Sequence, residues 1–291
     1  MFSASDVKTL REKTGAGMLD CKKALDETKG DIDKAVDWLR EKGIAKAAKK
    51  TDRIAAEGLA AIFESDNKAV VLEVNSETDF VAKNDEFKNF VNTVGETILN
   101  SDARTLEEAN KLEVNGETIE SLTIALTAKI GEKISIRRFE VLEKSADEAF
   151  GSYIHMGGRI ASLVLVDGDN ADAARDVAMH AAAMRPLYLN EASVPTEDLD
   201  KEKEIMRQEL LNEGKPADKI DNILVGKVRK YYEEVCLEDQ IFVKSENKEP
   251  VGKFLENNGC KLVDLVRFEV GEGMEKRNEN FADEVMSQIN G

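Results

Sequence analysis

The sequence predicts an α+β protein built from several modules. These are an N-terminal three-helix bundle, two repeated core subdomains of antiparallel sheet plus helix, an inserted antiparallel helical hairpin and a C-terminal helix. Two observations predict this fold class. Strand and helix patterns follow one another in the same order twice, and a highly charged helical segment interrupts the second series. The repeated pieces are VVLEVN with LVLVDG, and RRFEV with VRFEV.

The first module comprises three short helices between residues 5 and 43. Ser5 is the predicted cap of the first helix and Asp31 that of the third, because short polar side chains accept bonds from free helix N–H groups. The third helix carries an i, i+3, i+4, i+7 apolar stripe that starts at Ile32. Gly43 is its predicted end.

A basic stretch follows the bundle: residues 42–53, KGIAKAAKKTDR, hold five bases and one acid. In the simpler interpretation it is a solvated tether. In the other interpretation it contacts an acidic partner.

The first core subdomain opens with a predicted hairpin, GLAAIFES and KAVVLEV around the turn residues SDN. A helix capped by Asn84 or Asp85 follows, with Phe87 beginning its apolar face. A second helix, IESLTIALTAKIG, is predicted to end at Gly131, and KISIRRFEVLE is predicted to be a strand.

The second core subdomain repeats this order. GSYIHMGGRIASLVLVD is a predicted hairpin that turns at Gly157 and Gly158. NADAARDVAMHAAAM is a predicted helix that ends before Pro186, and KLVDLVRFEV is the predicted closing strand. Between them, residues 196–235 hold 19 charged residues of 40, with apolar positions typical of two helices sharing a narrow seam. The predicted division is 1–55 bundle and tether, 56–147 first core subdomain, 148–195 and 236–270 second core subdomain, 196–235 coiled-coil hairpin, and 271–291 C-terminal helical module.

Composition and motifs argue against several classes of function. The net charge of −17 repels phosphate backbones, which disfavours direct nucleic-acid binding. The sequence contains no run of 18 apolar residues, so no membrane-spanning helix is predicted. The N-terminus lacks an apolar signal core, and we therefore expect a cytoplasmic protein. Three scattered cysteines and two histidines make no zinc pattern, and no phosphate-binding glycine loop exists, so no metal or cofactor is predicted.

Phe80 stands in an unusual place, within SETDFVAKNDEF. If one helix continued through this stretch, Phe80, Phe87 and Val94 would share its buried face, because they are seven residues apart. If the helix instead begins at Asn84, Phe80 lies in the link before it and forms an apolar peg for a partner's pocket.

The chain resembles, over essentially its whole length, the bacterial translation elongation factor Ts family. The resemblance rests on TGAGMLDCKKAL, NSETDFVAKNDEF, AKIGEKISIRR, YIHMGGRI and VRFEVGEGMEK. It implies that the bundle is similar to a ubiquitin-associated domain. It also implies guanine nucleotide exchange on elongation factor Tu, in its GDP-bound and nucleotide-free states, without covalent chemistry and without a nucleotide site in this chain.

The family's functional residues carry over onto six positions. Asp79 and Phe80, flanked by Thr78 and Val81, are implied to enter the partner's nucleotide domain near its magnesium. Lys22 matches a contact to that domain, although it also suits an ordinary surface lysine. His155 matches a contact to another domain of the partner, and the C-terminal module is implied to dock as well. Glu77 departs from the glutamine expected in some members.

Two other functions stay open at this point. An adaptor would bind ubiquitin-like or nascent-chain ligands through residues 1–50 alone. A small-molecule enzyme would need a pocket that has, at its floor, His155 or an acidic side chain with a shifted pKa. The other histidine, His180, lies within an Ala-rich helix and is more typical of a packed residue.

Overall fold

The computed structural model describes residues 2–14 and 16–275, which form eleven α-helices and eight strands. The α+β class is therefore confirmed. The chain divides into two compact units. The first unit comprises residues 1–63, 72–140 and 269–291, and the second comprises 64–71 and 141–268. The finer division into six segments stays a prediction, and the predicted C-terminal helix FADEVMSQI lies outside the described residues.

The N-terminal bundle contains α1 (Ala4–Thr14), α2 (Met18–Glu27) and α3 (Ile32–Ala48). Asp31 caps α3 as predicted, accepting from the Lys34 amide. Two predictions were wrong. Ser3 caps α1 in place of Ser5, because its hydroxyl accepts from the Asp6 amide at 3.3 Å. Gly43 does not end α3, which runs on through half of the basic stretch. The bundle core comprises Leu10, Cys21, Ala24, Leu25 and Ala35.

The first sheet has the strand order β1 (Glu57–Glu64), β2 (Lys68–Ser76) and β5 (Ser135–Glu143). The predicted hairpin, helices and strand are confirmed, whereas a short helix and a small strand pair between residues 106 and 118 were not predicted. The elements, in chain order, are β1 (Glu57–Glu64), β2 (Lys68–Ser76), α4 (Asp79–Ala82), α5 (Asp85–Leu99), α6 (Leu106–Lys111), β3 (Glu113–Val114), β4 (Glu117–Thr118), α7 (Ile119–Ile130) and β5 (Ser135–Glu143).

The second sheet has the strand order β6 (Glu148–His155), β7 (Ile160–Asp167) and β8 (Lys261–Glu269). It repeats the order of the first sheet, because the second strand of a hairpin again pairs with the closing strand. The hairpin turns at Gly157 and Gly158 as predicted, and both glycines have a positive φ. Helix α11 was not predicted. The elements are β6 (Glu148–His155), β7 (Ile160–Asp167), α8 (Ala171–Met184), a 3-10 turn (Glu191–Ser193), α9 (Thr196–Asn212), α10 (Ala217–Val235), α11 (Val251–Asn257) and β8 (Lys261–Glu269).

A buried carboxylate organises the sheet of the first unit. Glu73 on β2 is fully buried and accepts from Arg137 at 2.9 Å, Arg138 at 2.7 Å and the Gly271 amide at 2.9 Å. Burial alone raises the pKa of Glu73, but the hydrogen bonds from Gly271, Arg137 and Arg138 bring it below its usual range. The carboxylate therefore stays charged and ties the chain after β8 to β2.

In the second unit, α8 lies directly against β6. The Cβ of an alanine at position 151 would come within 2.0 Å of the Ala174 backbone, so only glycine allows this approach. The buried cluster around this contact joins both hairpin strands, α8 and α11; its members include Ala149, Val164, Val166, Ala174, Val177, Ala178, Leu237, Phe242, Val251 and Leu255.

His180 is a packed residue of α8. Its Nδ1 accepts from the Val243 amide at 3.0 Å, so the proton sits on Nε2, which donates to Gln240 Oε1 at 3.0 Å. Gln240 in turn donates to the Glu234 carbonyl at the end of α10 at 2.8 Å. Burial lowers the pKa of His180, because the charged ring would lose its hydration.

We expect two glycines to respond in opposite ways to alanine. Gly151→Ala destabilises the protein by more than about 2 kcal/mol, since the new methyl group meets backbone that cannot yield. Gly226→Ala, inside α10 with open space around it, stabilises by up to about 1 kcal/mol through helix propensity. Urea unfolding measures both changes. Equal effects of the two substitutions would contradict the packing described for Gly151.

We also expect His180 to make the protein acid-sensitive. Its pKa is lower in the folded state than the ordinary 6.5, so the unfolded chain binds the extra proton first. The contribution of the neutral His180 side chain to the free energy of unfolding is therefore complete above about pH 6.5. It is lost as pH falls toward the folded pKa, and the free energy of unfolding decreases by up to about 1.4 kcal/mol per pH unit. The unfolding free energy is measured at pH 7.5 and at pH 5.5. The loss of stability between these two pH values will be smaller in His180→Gln than in the wild type, whereas the control His155→Gln will show the same loss as the wild type.

Candidate functional site

The candidate site is the short link between β2 and α5. Thr78 caps α4, a helical turn of four residues, and Asn84 caps α5 with a bond from the Glu86 amide at 2.7 Å. Two caps six positions apart force two separate helices, because an N-cap residue lies outside helical geometry. The prediction that α5 begins after Asn84 is therefore confirmed, and the alternative of one continuous helix was wrong. The link is itself a short helical turn. We call Thr78–Lys83 the Phe80 turn.

Phe80 points into solvent. Its side chain is 79% exposed, while Val81 and Ala82 are buried and anchor the turn. Phe87, seven residues later, is fully buried on α5. A large aromatic side chain at this level of exposure does nothing for the protein's own core, so it is available to a partner.

Asp79 and Phe80 share one neighbour, Lys83. Its ammonium group lies 2.6 Å from Asp79 Oδ2 and 5.9 Å from the centre of the Phe80 ring. The hydrogen bond from Lys83 holds the pKa of Asp79 below its usual range. The turn thus presents an apolar ring beside a carboxylate whose charge is already partly compensated.

A second set of contacts holds the base of the turn. Glu132 accepts from the Thr78 amide at 2.9 Å and from the Thr78 hydroxyl at 2.8 Å. In the opposite direction, Glu77 accepts from the Lys133 amide at 2.6 Å. We call these three hydrogen bonds the carboxylate clamp. Arg53 adds an ion pair with Glu77 at 3.3 Å, and the Glu77 side chain is only 8% exposed.

Lys22 lies exposed on α2, where Met18 and Leu19 are also exposed, at 62% and 84%. Lys22 follows Met18 by four positions and Leu19 by three, so both apolar side chains are its neighbours on the helix surface. This patch combines apolar surface with a positive charge. Lys22 takes no part in the clamp or the Phe80 turn.

His155 ends β6 in the second unit. Its ring stacks on Tyr153 with centroids 5.9 Å apart, and its Nδ1 lies 3.3 Å from the Tyr153 hydroxyl. Met156, at the tip of the hairpin, is 74% exposed and Ile154 is 42% exposed. The predicted contact histidine therefore stands beside exposed apolar side chains.

The described residues offer little for small-molecule chemistry. Within residues 2–14 and 16–275, no group of three or more His, Cys, Asp or Glu side chains could hold a metal ion, and no helix is long and apolar enough to cross a bilayer. A shallow cleft of about 390 Å³ lies along α9 and α10. His155 is not part of its lining, which comprises Glu191, Lys203, Asp221, Leu224, Val225, Val228, Arg229 and Tyr232.

The comparison with known families bears on this site directly. A family model described as Elongation factor TS matches residues 77–272, more than half of the chain, and the match includes the whole Phe80 turn. The chain belongs to the elongation factor Ts family. The family implies a translation elongation factor that acts as a nucleotide exchange factor on another elongation factor.

Sequence reasoning found the Phe80 turn but missed its supports. Lys83 follows Asp79 by four residues, and this spacing could have predicted their ion pair. Glu132 and Lys133 are 54 and 56 residues from their partners in the clamp, and no local pattern indicates such a contact.

We expect Lys83→Met to raise the pKa of Asp79 toward its ordinary value, because the hydrogen-bond donor that favours the charged carboxylate is lost. NMR titration of the Asp79 side chain measures this. Lys88→Met, on the next helix, is the control and leaves the Asp79 titration unchanged. An unaltered Asp79 in the Lys83 variant would mean that the ion pair does not persist in solution.

Proposed function

We propose that this protein binds elongation factor Tu·GDP and promotes release of GDP, with the Phe80 turn as the element that opens the partner's nucleotide site. The supporting observation is the exposure of Phe80 on a turn whose base is held by the carboxylate clamp. A rigid, hydrated aromatic side chain is the kind of residue that fills a partner's pocket and dominates binding energy. Family membership supplies the class of partner.

The mechanism we propose needs no covalent step. GDP is held through its phosphates and a magnesium ion, so displacing the elements that hold the ion weakens both contacts. Phe80 supplies the apolar wedge, Asp79 a carboxylate near the ion, and Thr78 and Val81 the fixed base of the turn. Because coupling between two ligands is reciprocal, a factor that binds the nucleotide-free state more tightly must also lower the affinity for GDP.

Further contacts complete the proposed complex. We place Lys22, with its apolar neighbours Met18 and Leu19, against the partner's nucleotide domain, and His155, with the exposed tip of its hairpin, against another domain. The α9–α10 pair is proposed as the family's coiled-coil hairpin, and residues 271–291 as a further docking module. We propose that the protein works in the cytoplasm, without direct contact to nucleic acid or membrane.

A second candidate is an adaptor that acts through the N-terminal bundle. The exposed Met18 and Leu19 favour it, because neighbouring apolar side chains on a surface helix often mark a binding patch. This candidate predicts that loss of Phe80 has no effect. The experiment on Phe80 therefore separates the two functions.

We expect Phe80→Ala to slow GDP release roughly tenfold or more at a fixed concentration of factor, the scale of a hot-spot side chain. Fluorescence of labelled GDP bound to elongation factor Tu reports the rate. The thermal unfolding midpoint stays close to that of the wild type, because the ring is 79% exposed and contributes little to folding.

The matched control is Leu187→Ala, which removes another apolar side chain of similar exposure, 71%, outside all proposed contacts. It leaves release unchanged. Wild-type protein that does not accelerate release at all would end the proposal, and equal loss in both variants would remove the special role of Phe80.

A further inference from the structure

Glu132 binds the Phe80 turn directly, although it lies 54 residues away in sequence. Both of its carboxylate oxygens are used by one residue: Oε2 accepts from the Thr78 amide at 2.9 Å and Oε1 from the Thr78 hydroxyl at 2.8 Å. The Thr78 amide precedes the first residue of α4, so no bond within the turn satisfies it.

We infer that Glu132 is a positioning residue for nucleotide exchange, which sets the orientation of Phe80 by fixing Thr78 at the base of its turn. The inference rests on the proposed function. It adds a residue that need not touch the partner and that acts through Thr78.

The turn is too short to hold itself. A helix of four residues gains little from its own backbone, because forming the first helical turn orders several residues for a single hydrogen bond, and the exposed ion pair between Asp79 and Lys83 adds little more. The capping bond of Thr78 to the Val81 amide is 3.5 Å long, at the weak limit of a hydrogen bond. The exposed Phe80 ring adds nothing to the anchoring. Thr78 is therefore held by Glu132 and by the Ser76 hydroxyl, which donates to the Thr78 carbonyl at 2.9 Å, and the rest of the turn is anchored by the buried Val81 and Ala82.

Glu132 is itself held in place. Gly131, in the left-handed conformation at φ 88°, ends α7 and reverses the chain just before it. Lys133, the residue after Glu132, is also fixed: its amide donates to Glu77 at 2.6 Å, and its ammonium group donates to the Thr51 carbonyl at 2.6 Å. A side chain fixed from both sides can act as a rigid support for the turn.

Loss of Glu132 should affect exchange more than folding. A half-exposed hydrogen-bond pair contributes only modestly to stability. If the turn instead samples several orientations, only the fraction with Phe80 correctly presented can open the partner's site, and the release rate falls with that fraction.

The experiment measures GDP release from elongation factor Tu over a range of factor concentrations, for the wild type, Glu132→Ala, Glu132→Gln and Thr78→Val. Glu120→Ala is the matched control, since Glu120 is an exposed carboxylate at the start of α7. We expect Glu132→Ala to lower the maximal release rate roughly three- to tenfold, as for the loss of one or two hydrogen bonds. The half-saturating concentration changes less than about twofold, because the other proposed contacts still form the complex.

Two further results are expected. Glu132→Gln, which keeps one acceptor oxygen, falls between the wild type and Glu132→Ala. When Thr78→Val is already present, Glu132→Ala lowers the release rate by a smaller factor than it does in the wild type. The effects of the two substitutions are not additive, because both residues act through the same contact. In the free protein, hydrogen exchange of the Thr78 amide becomes faster in Glu132→Ala, since that amide loses its acceptor.

The inference is overturned if wild-type protein is active and Glu132→Ala behaves like Glu120→Ala. It is also overturned if the loss in a Thr78→Val background is undiminished, or if the Thr78 amide exchanges at the wild-type rate. Should Glu132→Ala fail to fold, Glu132→Gln and Thr78→Val carry the same test. Wild-type protein that leaves GDP release unchanged would instead remove the proposed function, and the inference with it.

Discussion

The crossing of hydrogen bonds between residues 77–78 and 132–133 is the constraint on which the candidate site depends. Each side supplies one carboxylate and one backbone amide to the other: Glu77 serves Lys133, and Glu132 serves Thr78. Two chain segments that are distant in sequence thereby fix one another at the end of β2. A turn of four residues is not stable by itself. The hydrogen bonds at its base therefore keep the Phe80 side chain exposed to water and prevent it from folding back onto the protein.

The basic stretch after the bundle belongs to the same assembly in the first unit. Lys50 donates to the Gly131 carbonyl, Lys133 donates to the carbonyls of Thr51 and Arg53, and Arg53 pairs with Glu77. Upstream, α3 lies along α7, where Arg40 donates to Ser121 at 3.3 Å. Several of the bases that looked like a solvated tether in the sequence are thus used inside the unit, at the foot of the Phe80 turn.

Much of the fold could be predicted because its determinants are local. The apolar stripe of α5, the cap at Asn84, the left-handed end of α7 at Gly131 and the turn at Gly157 each depend on residues close in sequence. The errors at Ser5 and Gly43 are also local: a better cap stood two residues earlier, and a helix interior tolerates a glycine when its neighbours pack. The supports of the Phe80 turn escaped prediction because they join residues far apart in sequence. Residue types alone do not indicate which of 58 acidic side chains meets Thr78.

The contacts of Glu77 limit how the sequence of this site can vary in evolution. Its charge is matched internally by Arg53, and its oxygen by the Lys133 amide. A relative with glutamine at this position would keep an acceptor for the amide but leave the arginine without a counter-charge. A substitution at position 53, 77, 132 or 133 therefore changes which residues the other three positions can accept, so we expect these four positions to vary together among relatives.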